Sequence, residues 1–430
     1  MLKKQLTVSY PKKFLLAFFA VSLVLFILLY LSSLIPSPYL KSSVGGSVKI
    51  LKHEGVYPSY GVPGRQIVLD NYTDALMINT AYSVDSFIPV RSAISGTRHT
   101  KEMAETNQVI NLEKTYNQEA KTPISYERYW HGYLIYLRPL LVVLPYSGIR
   151  IILSLLLYGL TAIFLYTVWR KLGLHDTIIF FIGFLSVDLF YLGQSMQFSG
   201  VFLIALASSL YLLKKKKQGS EYLLFFITGM LTSFIDLLTA PLVTVGLLLV
   251  TTYLLDKKRN VFLHFGSWYV GYVLFWFSKL LIAQLLYFPN ALSSGLWQFT
   301  NRLVNKADAN FSQLSAVKLN AFQLIGYAKQ SKIAILTLFI GVVLFFLRYH
   351  VFKKESLKKA IPLLIIGVIP YLWYLIVANH SYLHVWYTYR DQMMSVLAFF
   401  LILSELTNWK KVHSDWTRLN SAPGKQPKKS

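Results

Sequence analysis

FLLAFFAVSLVLFILLYLSSL, residues 14–34, is a run of 21 residues without a charge. As a helix it is roughly 30 Å long, the thickness of a bilayer's hydrocarbon core. Lys3, Lys4, Lys12 and Lys13 precede it and predict that this end stays in the cytoplasm. The run is longer than a signal-peptide core and no small-x-small cleavage site follows, so it reads as an uncleaved anchor. Residues 1–13 are then a cytoplasmic N-terminus.

The rest of the chain repeats the pattern. Of its 430 residues 54% are hydrophobic and 14% charged, against about 25% charged in an ordinary soluble domain. Only helices and closed barrels satisfy the backbone in lipid, and these continuous apolar runs lack a barrel's alternation. The fold class is therefore an all-α polytopic membrane protein. Cysteine is absent, which excludes disulfides and thiolate metal sites. The net charge of +24 comes without a nucleic-acid-binding motif and lies in short loops between apolar runs, so nucleic acid is not an expected partner and membrane lipids are.

Further spans are expected near 148–169, 177–194, 197–213, 221–237, 239–255, 262–286, 333–351, 360–378 and 392–408, about ten in all. Arg170 and Lys171, Lys214 to Lys217, Lys257 to Arg259, and the cluster from Arg348 to Lys359 all fall in loops that alternation places in the cytoplasm. Both termini are then inside, residues 14–408 form one transmembrane domain, and 409–430 is a basic cytoplasmic tail, expected to be disordered after Asn420. The large extracytoplasmic loops are 35–147 and 288–332; the latter, with Trp297, Arg302, Lys306 and Asp308, reads as a lid or as a helix lying on the membrane. His131–Leu144 is apolar but short and carries Arg138 before Pro139. Counting it as a span would put every later lysine cluster outside, so it is expected to be re-entrant or interfacial on the outer side.

This topology gathers the polar residues on one face. Asp188, Asp236 and Lys279 all lie toward the outer ends of their spans, where ionisable groups are costly and face a cavity or a partner, although Asp236 suits a helix cap and Lys279 can snorkel. The first outer loop contains Leu69-Asp70-Asn71-Tyr72-Thr73-Asp74, then Arg128, Trp130 and His131 leading into Arg138. The last contains His380, His384, Trp386, Arg390 and Asp391. Asp70 precedes an apolar-periodic run and suits an N-cap, with Asp74 in the first turn. The functional alternative is a carboxylate that accepts a proton from a hydroxyl. His380 and His384 share a face if their stretch is helical, but no carboxylate completes a zinc motif. Together with Arg128, Arg138, Lys279 and Arg390 they suit an anion clamp for a phosphate or pyrophosphate.

The long first outer loop with an early acidic residue, Leu69-Asp70-Asn71-Tyr72, resembles the GT-C superfamily of membrane glycosyltransferases. The resemblance implies transfer of a sugar from a polyprenyl-phosphate-linked donor to a glycan or lipid-linked acceptor outside the membrane; the lysine-rich, cysteine-free composition fits a bacterial plasma membrane, with envelope polysaccharide or teichoic acid decoration as the setting. The resemblance also implies Asp70 or Asp74 as the base, cations on the departing lipid phosphate, and Trp130 and Trp386 stacking on sugar. Asn71 stands where the family often has a second acid, leaving Asp74 as the nearest one and a divalent cation as an option rather than a requirement. Two other classes fit a one-sided polar face: a polysaccharide polymerase or ligase, which needs no carboxylate base in the first loop, and a transporter or flippase, which predicts midplane charges and inverted repeats.

Overall fold

The computed structural model describes residues 10–62, 65–215, 221–236, 238–304, 311–326, 329–351 and 353–420. Helix dominates. α1 (Tyr10–Ser33) is followed by a short 3-10 turn and α2 (Lys41–Glu54). A ribbon of β1 (Ser59–Val62) and β2 (Arg65–Val68), with Ser59 opposite Val68, leads to α3 (Asn71–Tyr82) and α4 (Pro89–Ser95). β3 (Arg98–Thr100) pairs antiparallel with β4 (Thr122–Ile124) around α5 (Gln108–Tyr116), and α6 (Leu134–Val143) closes the segment.

The remaining helices are α7 (Tyr146–Leu172), α8 (Leu174–Ser186), α9 (Leu189–Leu192), α10 (Met196–Lys214), α11 (Tyr222–Ile235), α12 (Leu242–Leu255) and α13 (Val261–Leu286). Then come α14 (Ala291–Val304), α15 (Gln313–Ile325), α16 (Lys329–Tyr349), α17 (Lys354–Ile376), α18 (Ala378–Leu383), α19 (Val385–Thr388), α20 (Met393–Glu405) and α21 (Trp409–Asn420). Among the described residues five helices are long and apolar enough to cross a membrane: α1, α7, α10, α13 and α17. α6, α8, α11, α12 and the end of α16 are apolar but shorter. The expected span 177–194 is in fact broken: Asp188 adopts a left-handed φ of 59° between α8 and α9 and accepts a hydrogen bond from the Tyr389 hydroxyl.

Burial follows the sequence character of each helix. α12 is apolar on every side and is buried from Leu242 to Tyr253, as a helix with no polar face must be. α1 instead exposes Leu15, Phe19 and Leu23, the surface expected against lipid chains. α11 and α13 pack backbone to backbone. A Cβ on Gly229 would lie 2.1 Å from the Trp268 carbonyl, and one on Gly271 2.1 Å from that of Phe226. Small residues permit that approach, and hydroxyls then bond across the helices: Thr232 meets Thr244 at 2.8 Å, and the Trp268 indole donates to Thr244 at 3.0 Å.

The segment 35–147 packs on this bundle through Arg138. Buried on α6, it donates to the carbonyls of Ser32, Ile35 and Ala81, tying α6 to the end of α1 and to the last turn of α3. α6 itself has 10 residues, about 15 Å of helix, too short to cross a bilayer.

Candidate functional site

β2 ends two residues before α3, and that junction sets Asp70. The Leu69 N–H donates to Pro58 and the Tyr72 N–H to Val56, so the strand is held as the helix starts. Asp70 is the N-cap: Thr73 donates its backbone N–H at 2.9 Å and its hydroxyl at 3.0 Å. Those bonds use one lone pair on each oxygen. Only 2% of the residue is exposed. Burial pushes its carboxyl up to about 7, the nearby Asp74 adds to this, and the Thr73 donors oppose it.

Aromatic rings wall the carboxylate. Tyr57 stacks on Tyr72 with centroids 6.2 Å apart and meets Trp386 edge-on at 5.2 Å. The Trp386 indole lies close to Asp70 but closes no hydrogen bond of normal geometry. Tyr387, from α19, is within electrostatic reach of Asp70, Arg302, Asp236 and Tyr129 together, so the segment 35–147 and the segment 379–391 meet there.

Four guanidiniums around these rings have no ion pair among the described residues. Arg390 is buried and donates from Nη1 to the Trp386 carbonyl at 2.9 Å, while its Nε and Nη2 have no partner. It lies 4.1 Å from the Phe198 ring centroid. Arg302, on α14, has a buried Nη1 without a partner and sits 5.8 Å from the Tyr129 ring. Arg98 and Arg128 flank Tyr126 at 5.4 and 5.0 Å, and the Arg98 Nη1 is likewise buried and unpartnered. By contrast Arg150 is ion-paired, with Glu54 at 2.6 Å and Asn71 and Tyr146 at 2.9 Å, although its Nε has no partner. Buried donors left without acceptors are expensive, and four in one region make a ready receptor for an anion.

A cavity of about 570 Å³ adjoins them. Tyr269, Trp276, Phe299, Leu372 and Trp373 make most of its wall apolar, and its ionisable lining residues are Arg128, Asp236 and Arg302. All three act on Tyr129, which groups them at one part of the wall. Asp236 holds the start of the loop to Pro241 by accepting the Thr239 N–H at 2.9 and 3.1 Å. Leu238 in that loop has a φ of 70°, a strained position of the kind that clusters at sites. Asp391 accepts the Leu242 N–H at 2.9 Å and leaves Oδ2 unpartnered.

The two histidines are not cations at neutral pH, contrary to the expected clamp. Burial drives His380 well below its ordinary value, aided by Arg302 and His384, and the Leu238 carbonyl it meets at 2.7 Å only partly opposes this. Burial and Arg302 take His384 down to about 4. His384 stacks on Tyr387 at 5.2 Å with a free Nδ1, so it can serve as a neutral hydrogen-bonding group. The stretch is broken into α18, α19 and a 3-10 turn. Its histidine rings are still 4.7 Å apart, but among the described residues no three His, Asp or Glu side chains are grouped to hold a metal.

Six expected site residues are engaged elsewhere. Asp74 accepts from the Tyr146 hydroxyl, Ser195 Oγ at 3.1 Å and the N–H groups of Met196 and Gln197 at 3.0 and 3.1 Å; it caps α10, and both its oxygens are occupied. Arg138 serves three carbonyls as described. Lys279 donates to the Ile94 carbonyl at the end of α4 and sits 5.4 Å from the Trp130 ring. His131, at φ 52°, binds Tyr133 Oη at 3.0 Å and the Tyr126 carbonyl at 2.7 Å, and burial lowers it to about 3. Asp188 is bonded to Tyr389. Trp130 donates to the Phe275 carbonyl at 2.8 Å and is buried, so it presents no face for a sugar.

Sequence reasoning did not single out Tyr57, Tyr72 or Arg98, and placed Arg302 only in a loop. Nothing local marks Arg98 in Gly96-Thr97-Arg98-His99-Thr100, whereas Asp391, next to Arg390, had a signal in its position within an acid-poor stretch. Lys306 and Asp308 lie outside the described residues. No family model, curated protein or solved structure matches this chain.

Proposed function

We propose that the chain is a membrane glycosyltransferase of the GT-C type, moving a sugar from a polyprenyl-phosphate-linked donor to a glycan or lipid-linked acceptor at the outer face of a bacterial plasma membrane. The observation that carries the reading is Asp70, a buried carboxylate walled by Tyr57, Tyr72 and Trp386, which shares the neighbour Tyr387 with Arg302, a guanidinium that has no anion of its own. The apolar cavity beside Arg128 and Arg302 suits a prenyl chain with its phosphate at the charged part of the wall.

Ten crossings with both termini inside give the orientation, with α8 and α9 sharing one crossing and 35–147, 288–332 and 379–391 outside. The basic loops support this order. Each turnover forms a bond from the acceptor oxygen to the anomeric carbon and breaks the bond from that carbon to the phosphate oxygen. The acceptor proton passes to Asp70, and the lipid phosphate departs as an anion against Arg302 and Arg128. Trp386 and Tyr57 offer ring faces to the sugar.

The test uses the chain in lipid nanodiscs with a panel of undecaprenyl-phosphate monosaccharides, scoring released undecaprenyl phosphate. D70N should reduce release by about 10²–10⁴-fold, the usual contribution of a general base, while still binding undecaprenyl phosphate. R302A and R128A should weaken that binding. Full activity in D70N would instead favour a polymerase or ligase.

A further inference from the structure

α21 is strongly two-faced. Trp409, Val412 and Trp416 fall on one side at helical spacing, and Lys410, Lys411, Ser414 and Arg418 on the other. The helix is held at its start and at its middle. At its start the Trp409 ring meets His175, in the first turn of α8, at 5.0 Å, and its indole donates to the Ser404 carbonyl at 3.1 Å. Further along, Asp415 accepts from Arg348 at 2.8 Å and from the Tyr349 hydroxyl at 3.2 Å, and Lys411 donates to the Arg348 carbonyl at 2.8 Å. These contacts tie α21 to the start of α8 and the end of α16, two helix ends that carry basic neighbours.

The contacts leave the apolar side uncovered. Trp409 is 46% and Trp416 63% exposed. Tryptophans on one side with lysines and arginine on the other are the makeup of a helix lying in a membrane interface. Asp415 is the helix's lone acid, and it is neutralised by Arg348, so the outward charge is basic. Lys425, Lys428 and Lys429 follow in the sequence.

We infer that α21 is an in-plane anchor that seats Trp409, Val412 and Trp416 in the headgroup region of a bilayer carrying anionic phospholipid, clamping the ends of α8 and α16 to that surface. The side it lies on rests on the orientation proposed above; its depth does not.

The chain has no cysteine, so one introduced thiol reports one position. W416C and S414C, each carrying a nitroxide, are compared in nanodiscs of phosphatidylcholine with and without phosphatidylglycerol. In anionic discs the label at 416 should lose access to a water-soluble nickel chelate and gain access to oxygen, while the label at 414 stays in water. Replacing Lys410, Lys411 and Arg418 by Gln should reverse the shift, each cation weighing about fivefold in the seated fraction. Water access at 416 unchanged by phosphatidylglycerol, or seating that survives loss of all three cations, overturns the inference. Labelling of W416C by an impermeant maleimide in right-side-out against inverted vesicles reads the side separately, so a wrong orientation and a wrong anchor give different results.

Discussion

At Asp70 the two oxygens that cap α3 are also the ones a substrate hydroxyl would have to reach. Each keeps a lone pair, so both duties are compatible, whereas Asp74 has its four donors inside the protein. Because burial raises the Asp70 carboxyl to about 7, the ionised base is the minority form in mildly acidic solution. The rate of sugar transfer should therefore climb with pH through about 7 and level off above it, as measured by lipid-phosphate release under saturating donor. A pH-independent rate across that range would rule out Asp70 as the base. Arg138 is the opposite kind of residue, charged but wholly structural. R138L would take the Arg138 donors from the carbonyls of Ser32, Ile35 and Ala81, leaving Ser32 only the long Ile35 N–H, at a cost on the order of 3 kcal/mol. Thermal unfolding in detergent should show the loss, with undecaprenyl phosphate affinity unchanged in the fraction that remains folded.

Between elements, the decisive joint is α2 with α3 and α7. Burial alone would raise Glu54, but hydrogen bonds from Arg150 and Asn71 and the Arg150 charge outweigh it, so its carboxyl sits below the ordinary value. A lowered carboxyl contributes stability that is full above its unfolded value and lost as the pH falls through the folded one. E54Q should thus lower the melting temperature at neutral pH and narrow the gap from wild type in acid. The same helices explain why parts of the site were legible and parts were not. Asp70 as a cap before an apolar-periodic run is a local signal, read directly from Leu69-Asp70-Asn71-Tyr72-Thr73. The pairing of Arg302 with Tyr129 and His384 joins residues far apart in the chain, and no local pattern announces it.

For the whole molecule, side rather than shape is the open quantity. T122C, on the exposed β4, should react with an impermeant maleimide on intact cells, whereas K258C, between α12 and α13, should react only after permeabilisation. The reverse pattern would invert the proposed orientation and with it the compartment of Asp70.

Apolar run length and charge placement determined, by themselves, that this is a helical protein built for a bilayer, because lipid leaves a backbone few ways to be satisfied. They also determined that Asp70 would begin a helix, since capping depends on neighbours three residues away. Only the tertiary structure decided which charges are spoken for. A buried ion is structural or available according to whether donors and acceptors from distant segments reach it, and that separates Arg138, Lys279 and Asp74 from Arg302, Arg390 and Asp70.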